Sequence, residues 1–383
     1  MRSLRTLALV ALLLVTAAAG PGTAVASTDA AQSDCGFPYT VTDATGTEVT
    51  VAEAPETVAT LQPSDAQTMW EIGARDQVVA MPQNQYTGYL NDTDGRTNVA
   101  NADGTTNTEA VVGANPDLVL AANVTRSSTI QQLRDAGLTV YHFPLVDSID
   151  GVFEQTETIG RLTGNCEGAS DTVSGMRDRV QAVQNTVADR EQPRVLYYSY
   201  GWTTGNGSHI NDLMETAGGQ NIAAEAGLSG YSEISSEIVA DRNPQWIVLQ
   251  TGAPAPSGAP YNETAAMQED QVLRVNANYL SQPAPRTVIA LETMAEAFHP
   301  AAFEQTETQT ATETDTTETT SADTQTTTTT SAAMADGGTA TPTEDDHEHT
   351  TTSTNGSGPG FGLLAPLAAL GGAALLAGRR KGT

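Results

Sequence analysis

Two stretches decide the fold: EAVVGANPDLVL, residues 109–120, and EIVADRNPQWIVL, residues 237–249. Each begins with a Glu in a short helical turn, passes through Asn-Pro, and enters an apolar run. Asn115-Pro116 and Asn243-Pro244 stand the same distance after Glu109 and Glu237. Pro removes a backbone donor and disfavours the helical region for the residue before it, so the turn must stop there. The apolar run that follows is short and bounded by turn signals, which predicts a buried strand. One unit used twice predicts two related lobes. Each lobe carries a Glu in the first turn of a surface helix, where the helix dipole favours a carboxylate by about 0.3 kcal/mol or somewhat more. The two are read either as such helix-end charges or as a matched pair of docking charges, and the repeat alone leaves both readings open.

Working outward, the same style continues on both sides. TVATL (Thr57 to Leu61) is followed by a helix opening at Pro63-Ser64, with Ser64 as its N-cap and Gly73 as its stop. Strands are predicted at Val78 to Met81, Asp117 to Ala121 and Thr139 to Phe143, with a helix from Ser128 to Ala136. The second lobe should hold strands at Arg194 to Tyr200 and Trp246 to Gln250. It should also hold helices from Ile210 to Ala217 and from about Arg286 to Phe298. Strands alternating with helices predict an α/β class. Between the lobes, residues 166–191 read as one long helix, about 35–40 Å at 1.5 Å per residue. Its Ala169, Val173, Met176, Val180, Val183 and Val187 form a single apolar stripe. A coiled-coil dimer would want paired charges beside that stripe; none are evident, so a monomer is expected.

The expected organisation is therefore a signal peptide at residues 1–26, an N-terminal lobe at 35–165, a connecting helix at 166–191 and a C-terminal lobe at 192–303. A disordered linker at 304–358 and a sorting or anchor segment at 359–383 complete it. Arg2 and Arg5 precede the apolar run Leu7 to Val15, and Ala24-Val25-Ala26 offers a cleavage site. The linker is mostly Thr, Ser, Ala, Asp and Glu, and cannot bury enough surface to offset its chain entropy. Phe361 to Gly378 is apolar and is followed by Arg379, Arg380 and Lys381, which should stay inside and leave the lobes outside. With Pro359-Gly360-Phe361 before it, the tail resembles the C-terminal sorting signal of haloarchaeal surface proteins. That resemblance implies removal of the tail and attachment of a lipid.

The chain of 383 residues has a formal charge of −29, from 46 Asp and Glu against 17 Lys and Arg, with Lys381 its one lysine. Such repulsion is tolerable where salt screens it, which fits a halophile. No basic face exists to neutralise phosphates, so nucleic acid is excluded as a partner. Two cysteines, Cys35 and Cys166, in an exported chain predict a disulfide. Asn91, Asn123, Asn206, Asn262 and Asn355 begin glycosylation sequons.

VATLQPSDAQTMWEIGARDQVVAM, NPDLVLA, GLTVYHF, PRVLYYSYGWTTGNGSHINDLMETAGGQNIAAEAG, SEIVADRNPQWIVL and LSQPAPRTVIALETMAEAFHP follow one another in order. In this series the chain resembles the cobalamin and ferric-siderophore binding proteins of ABC importers. The resemblance implies two Rossmann-like lobes joined by one long helix, and no catalytic activity. It also implies delivery of a solute to a membrane permease and its cytoplasmic ATPase. One Glu per lobe meets permease arginines in that family, and the matching positions are Glu109 and Glu237. Ligand would lie between the lobes, near Pro63, Tyr86, Tyr89, Tyr200, Trp202, Tyr231, Asn278 and Tyr279. Aromatic side chains there can stack on a large flat ligand. The loop Asn91 to Thr108 departs from the family pattern and carries no aromatic.

The cleft loops lack the Arg or Lys cluster that an anionic ferric catecholate would want. Cobalamin, bulky and nearly neutral, is the expected ligand. A neutral ferric hydroxamate stays open, as does haem with His209 or His299 as an axial ligand, though both histidines also read as helix-end residues. No G-x-S-x-G elbow, H-E-x-x-H or paired Cys nucleophile supports the rival reading of an extracellular hydrolase. The run Asp345 to His349 lies in the linker and cannot be pre-organised for a metal.

Overall fold

The computed structural model describes residues 35–304. The expected signal peptide, the expected linker beyond Glu304, the Asp345 to His349 run, the Asn355 sequon and the apolar run from Phe361 lie outside the described residues.

An antiparallel hairpin, β1 (Tyr39–Thr42) and β2 (Glu48–Val51), precedes the first sheet. The lobe then runs β3 (Val58–Thr60), α1 (Pro63–Glu71), β4 (Val78–Met81), β5 (Thr97–Asn98), α2 (Thr108–Ala114), β6 (Leu118–Ala121), α3 (Ser127–Asp135) and β7 (Val140–His142). The strands pair in parallel in the order β5-β4-β3-β6-β7. Val58, Leu118 and Leu120 pack on one face with Ala66 and Met69 of α1. Ala59, Val119 and Ala121 pack on the other with Ile130 and Leu133 of α3. A parallel sheet needs both faces covered, which is why these strands read as unbroken apolar runs. The strand predicted at Val78 to Met81 is observed with those bounds, the other three predicted here run one or two residues longer than observed, and Ser64 is not the cap of α1. Gln62 takes that place with extended backbone, and Pro63 occupies the first turn, where its missing N–H costs nothing.

Two helices follow, α4 (Ile149–Thr163) and α5 (Cys166–Val187). The predicted connecting helix is thus 22 residues long, ends at Val187 rather than Glu191, and has an antiparallel partner. Both helices bridge the two cores. Ile159, Leu162 and Ala169 pack with the first lobe. Val152, Phe153, Val173, Met176, Val180, Val183 and Val187 pack with the second. All six stripe residues are buried, as the periodicity predicts. Cys35 and Cys166 are joined by a disulfide that ties the start of α5 to the chain entering β1.

The second lobe runs β8 (Arg194–Tyr197), β9 (Trp202–Thr204), α6 (His209–Thr216), β10 (Gln220–Asn221), α7 (Ile222–Glu225), β11 (Tyr231–Glu233), α8 (Ser236–Arg242) and β12 (Trp246–Gln250). It closes with α9 (Ala265–Gln268), β13 (Val272–Val275), α10 (Ala277–Leu280) and α11 (Thr287–Phe298). Its parallel sheet has the order β10-β8-β12-β13, and β9 pairs with β11 in a separate antiparallel ribbon.

The sequence repeat is a structural repeat. In each lobe the first strand of the parallel sheet, β3 or β8, pairs with the strand after Asn-Pro, β6 or β12. Asn107 and Ser235 cap the helices α2 and α8, accepting from Ala110 and Ile238 N–H. Asn115 and Asn243 end them in the left-handed region, at φ 46° and 41°. Asn tolerates that region, so the helix has already stopped when Pro arrives.

Candidate functional site

The carboxyl ends of the first lobe's strands and the segment after α10 of the second lobe meet at one pocket of about 170 Å³. The first lobe contributes Gln62, Pro63 and Ser64 after β3, Ala122, Asn123 and Val124 after β6, and Pro144, Leu145 and Val146 after β7. Gln155 of α4 adds to it, and Ser281, Gln282 and Pro283 enter from the second lobe. None of these side chains is charged. Ligands of open α/β sheets sit outside the carboxyl ends of the strands, and this pocket obeys that rule. It is smaller than the roughly 300–1,000 Å³ usual for an organic ligand. The apolar surface continues above it, where Leu145 is 64% and Val124 73% exposed.

The large apolar side chains left exposed are concentrated at this end. Tyr86, Tyr200, Trp202 and Tyr231 are exposed with Val124 and Leu145, and Val112 of α2 is the other one among the described residues. Tyr200 takes a positive φ of 50° in the turn from Ser199 to Trp202 that follows β8. Tyr197, buried on β8, is linked to the pocket wall through Gln250. Gln250 at the end of β12 donates to the Tyr197 hydroxyl at 2.9 Å and to the Ser281 hydroxyl at 2.5 Å, and Ser281 lines the pocket.

Tyr89, Asn278 and Tyr279 are placed differently from the other predicted aromatics and amides. They belong to the joint between the lobes. Tyr89 stacks edge-on against Tyr279 with ring centres 6.0 Å apart and lies under the Arg286 guanidinium. Burial pushes the Tyr89 phenol up to about 12, so it stays a neutral donor. The joint also contains Gln67 and Gln282, which the sequence reading missed. Gln67 Nε2 reaches the Tyr89 hydroxyl at 2.7 Å, Gln282 Oε1 at 3.2 Å and the Asn278 carbonyl at 3.4 Å. Arg286 closes the joint with a 2.7 Å bond to Glu71. No sequence signal marks these residues, since an amide is informative only once its partners are known.

His209 begins α6, is buried, and its Nε2 meets the Thr287 hydroxyl at 3.1 Å. His299 ends α11 against the Gly218 carbonyl at 3.2 Å. Both are helix-end residues, and neither lines the pocket. Asn123 of the glycosylation sequons does line it.

Glu109 and Glu237 are exposed, each the second residue of its helix. Neither makes an ion pair with another described residue. Asn107 N–H bonds Val99, whose own N–H bonds Met81 at the end of β4. Ile234, just before α8, bonds Gly201 beyond the end of β8. Both helices thus start at the carboxyl edge of their sheet, the edge that also carries the pocket.

The periplasmic binding protein family model matches residues 58–284. A cobalamin-binding protein of Halobacterium salinarum is 44% identical over 313 residues, covering 77% of this chain and 84% of the relative. Among solved structures, the periplasmic vitamin B12 binding protein of Vibrio cholerae superposes with a TM-score of 0.56 at 26% identity. That alignment covers 65% of this chain and 98% of the other. A protein of an ABC-type Fe3+-hydroxamate transport system from Saccharomonospora viridis matches with TM-score 0.56 and 26% identity, over 69% and 99% of the two chains.

Proposed function

The chain belongs to the periplasmic binding protein family, whose members bind solutes and are not enzymes, and from this membership we propose that it captures cobalamin outside the cell for an ABC importer. The observation that carries the ligand is the 44% identity to a cobalamin-binding protein over most of both chains. The solved B12 and Fe3+-hydroxamate relatives are equally distant at 26%, so they favour neither ligand. The geometry of the pocket supports the same choice. Its lining is uncharged, which suits a bulky ligand of little net charge and disfavours an anionic iron chelate, whose charge would go unpaired. A small polar floor under an apolar rim suits a large ligand held partly above the pocket. Tyr86, Tyr200, Trp202 and Tyr231 offer flat surfaces for stacking there.

On this reading Glu109 and Glu237 meet arginines of the permease, and the lobes stand at the outer face of the cytoplasmic membrane, tethered through the C-terminus. Isothermal titration in molar salt, with cyanocobalamin and a ferric hydroxamate in parallel, tests the ligand. Cyanocobalamin should bind one to one and more tightly; binding of the iron chelate alone would overturn the assignment.

A further inference from the structure

The polar joint between the lobes lies beside the pocket and shares Gln282 with it. Gln67 is fully buried on α1, three positions after Ser64 of the pocket wall. Its Oε1 accepts the Arg286 N–H at 2.8 Å, while its Nε2 contacts Tyr89, Gln282 and Asn278 as described above. Gln282 Oε1 also accepts the Tyr89 hydroxyl at 3.0 Å. Gln282 Nε2 donates to the Tyr86 carbonyl at 2.9 Å and to Asn278 Oδ1 at 3.3 Å. Gln282 itself lines the pocket, between Ser281 and Pro283.

We propose that Gln67 and Gln282 lock the two lobes at one spacing, and so set the width of the cleft before ligand arrives. They are positioning residues for capture. Apolar contacts are non-directional and tolerate small displacements, whereas buried hydrogen bonds hold only at one distance and angle. Parting the lobes here would strand several buried amide groups, each costing about 1–3 kcal/mol unless water replaced the partner. Parting them would also move Gln62 to Ser64 away from Ser281 to Pro283, since the lock joins the two walls. The α4–α5 pair holds the lobes together, but its apolar packing leaves rocking about the pair open. The lock opposes that rocking from the cleft side.

The lobe spacing can be measured without any ligand. Spin labels are placed on exposed positions, through Gln132→Cys in the first lobe and Glu215→Cys in the second, with the native disulfide intact. Gln67→Met and Gln282→Met, singly and together, keep side-chain volume and remove the hydrogen bonds; circular dichroism and melting establish that each is folded. Should Gln67→Met fail to fold, Gln282→Met alone carries the test. The parent should give one narrow inter-label distance distribution, and the variants a broad one.

The second arm rests on the cobalamin reading. Cyanocobalamin affinity should fall about tenfold in the double variant, as when only about a tenth of the molecules hold the competent spacing, with the loss mainly in the association rate. An unchanged distance distribution in folded variants would overturn the lock. A broadened distribution with unchanged affinity would overturn its part in capture. If the parent itself does not bind cobalamin, the ligand assignment fails, while the distance measurement still decides the lock.

Discussion

Asp65 shows how one side chain is caught between the fold and water. It lies in the first turn of α1, fully buried beside the pocket wall, and its Oδ2 accepts the Ala122 N–H at 3.1 Å. Its Oδ1 has no partner among the described residues. Burial pushes the carboxyl from its ordinary 3.8 up to about 7. The folded state therefore holds the proton more tightly than the unfolded chain, and stability falls as pH rises from about 4 to about 7. His209 acts in the opposite direction. Burial lowers its imidazole from 6.5 to about 4, so stability is lost as pH falls through that interval, and the two trends partly cancel. Asp65→Asn keeps an acceptor for Ala122 and cannot ionise. It should match the parent near pH 4 and exceed it at about pH 8 by on the order of 2–4 kcal/mol. Urea unfolding at several pH values checks this; a pH-independent difference would contradict it.

At the scale of elements, the chain places small residues where helices must approach closely. A Cβ on Gly168 of α5 would stand 2.1 Å from the Ile72 carbonyl oxygen at the end of α1. A Cβ on Gly160 of α4 would stand 2.4 Å from the Cβ of Ala169 on α5. Neither contact can be relieved by turning a long side chain, since backbone or Cβ atoms stand in the way. Gly168→Ala should therefore lift α5 from the first lobe and cost about 1–3 kcal/mol, the usual range for overpacking. Gly175→Ala in the same helix has open space before it and should stabilise by about 0.5–1 kcal/mol, because Ala is the better helix former. Thermal denaturation of the two variants compares them directly; equal effects would refute the close-packing account.

At the scale of the whole molecule, the repeated helices give each lobe one exposed carboxylate at the edge that bears the pocket. A membrane partner that receives the ligand must face this edge, and two contacts, one per lobe, would hold both lobes in register during transfer. Charges at such a rim govern encounter and register more than affinity, and salt near 1 M confines their reach to about 3 Å. The double variant Glu109→Ala, Glu237→Ala should bind cyanocobalamin as the parent does. Uptake of labelled ligand by cells should drop more than tenfold, and either single change should cost less. Normal uptake by the double variant would reduce both residues to helix-end charges, and a loss of ligand binding would put them on the wrong face.

Much of this was determined by the sequence alone. The alternation of strands and helices, the Asn-Pro repeat and the stripe on α5 are local patterns, readable because periodicity and backbone sterics act over a few residues. The disulfide followed from having two cysteines. Tertiary structure decided the rest. It gave α5 its partner α4, which shares both cores, and it placed Tyr89, Asn278 and Tyr279 in the joint beside the pocket. It also paired Gln67 with Gln282 across 215 residues. An amide at one position has no preferred partner until the chain brings another to within 3 Å at the right angle. The pocket and its lock are properties of that convergence, which no short window of sequence contains.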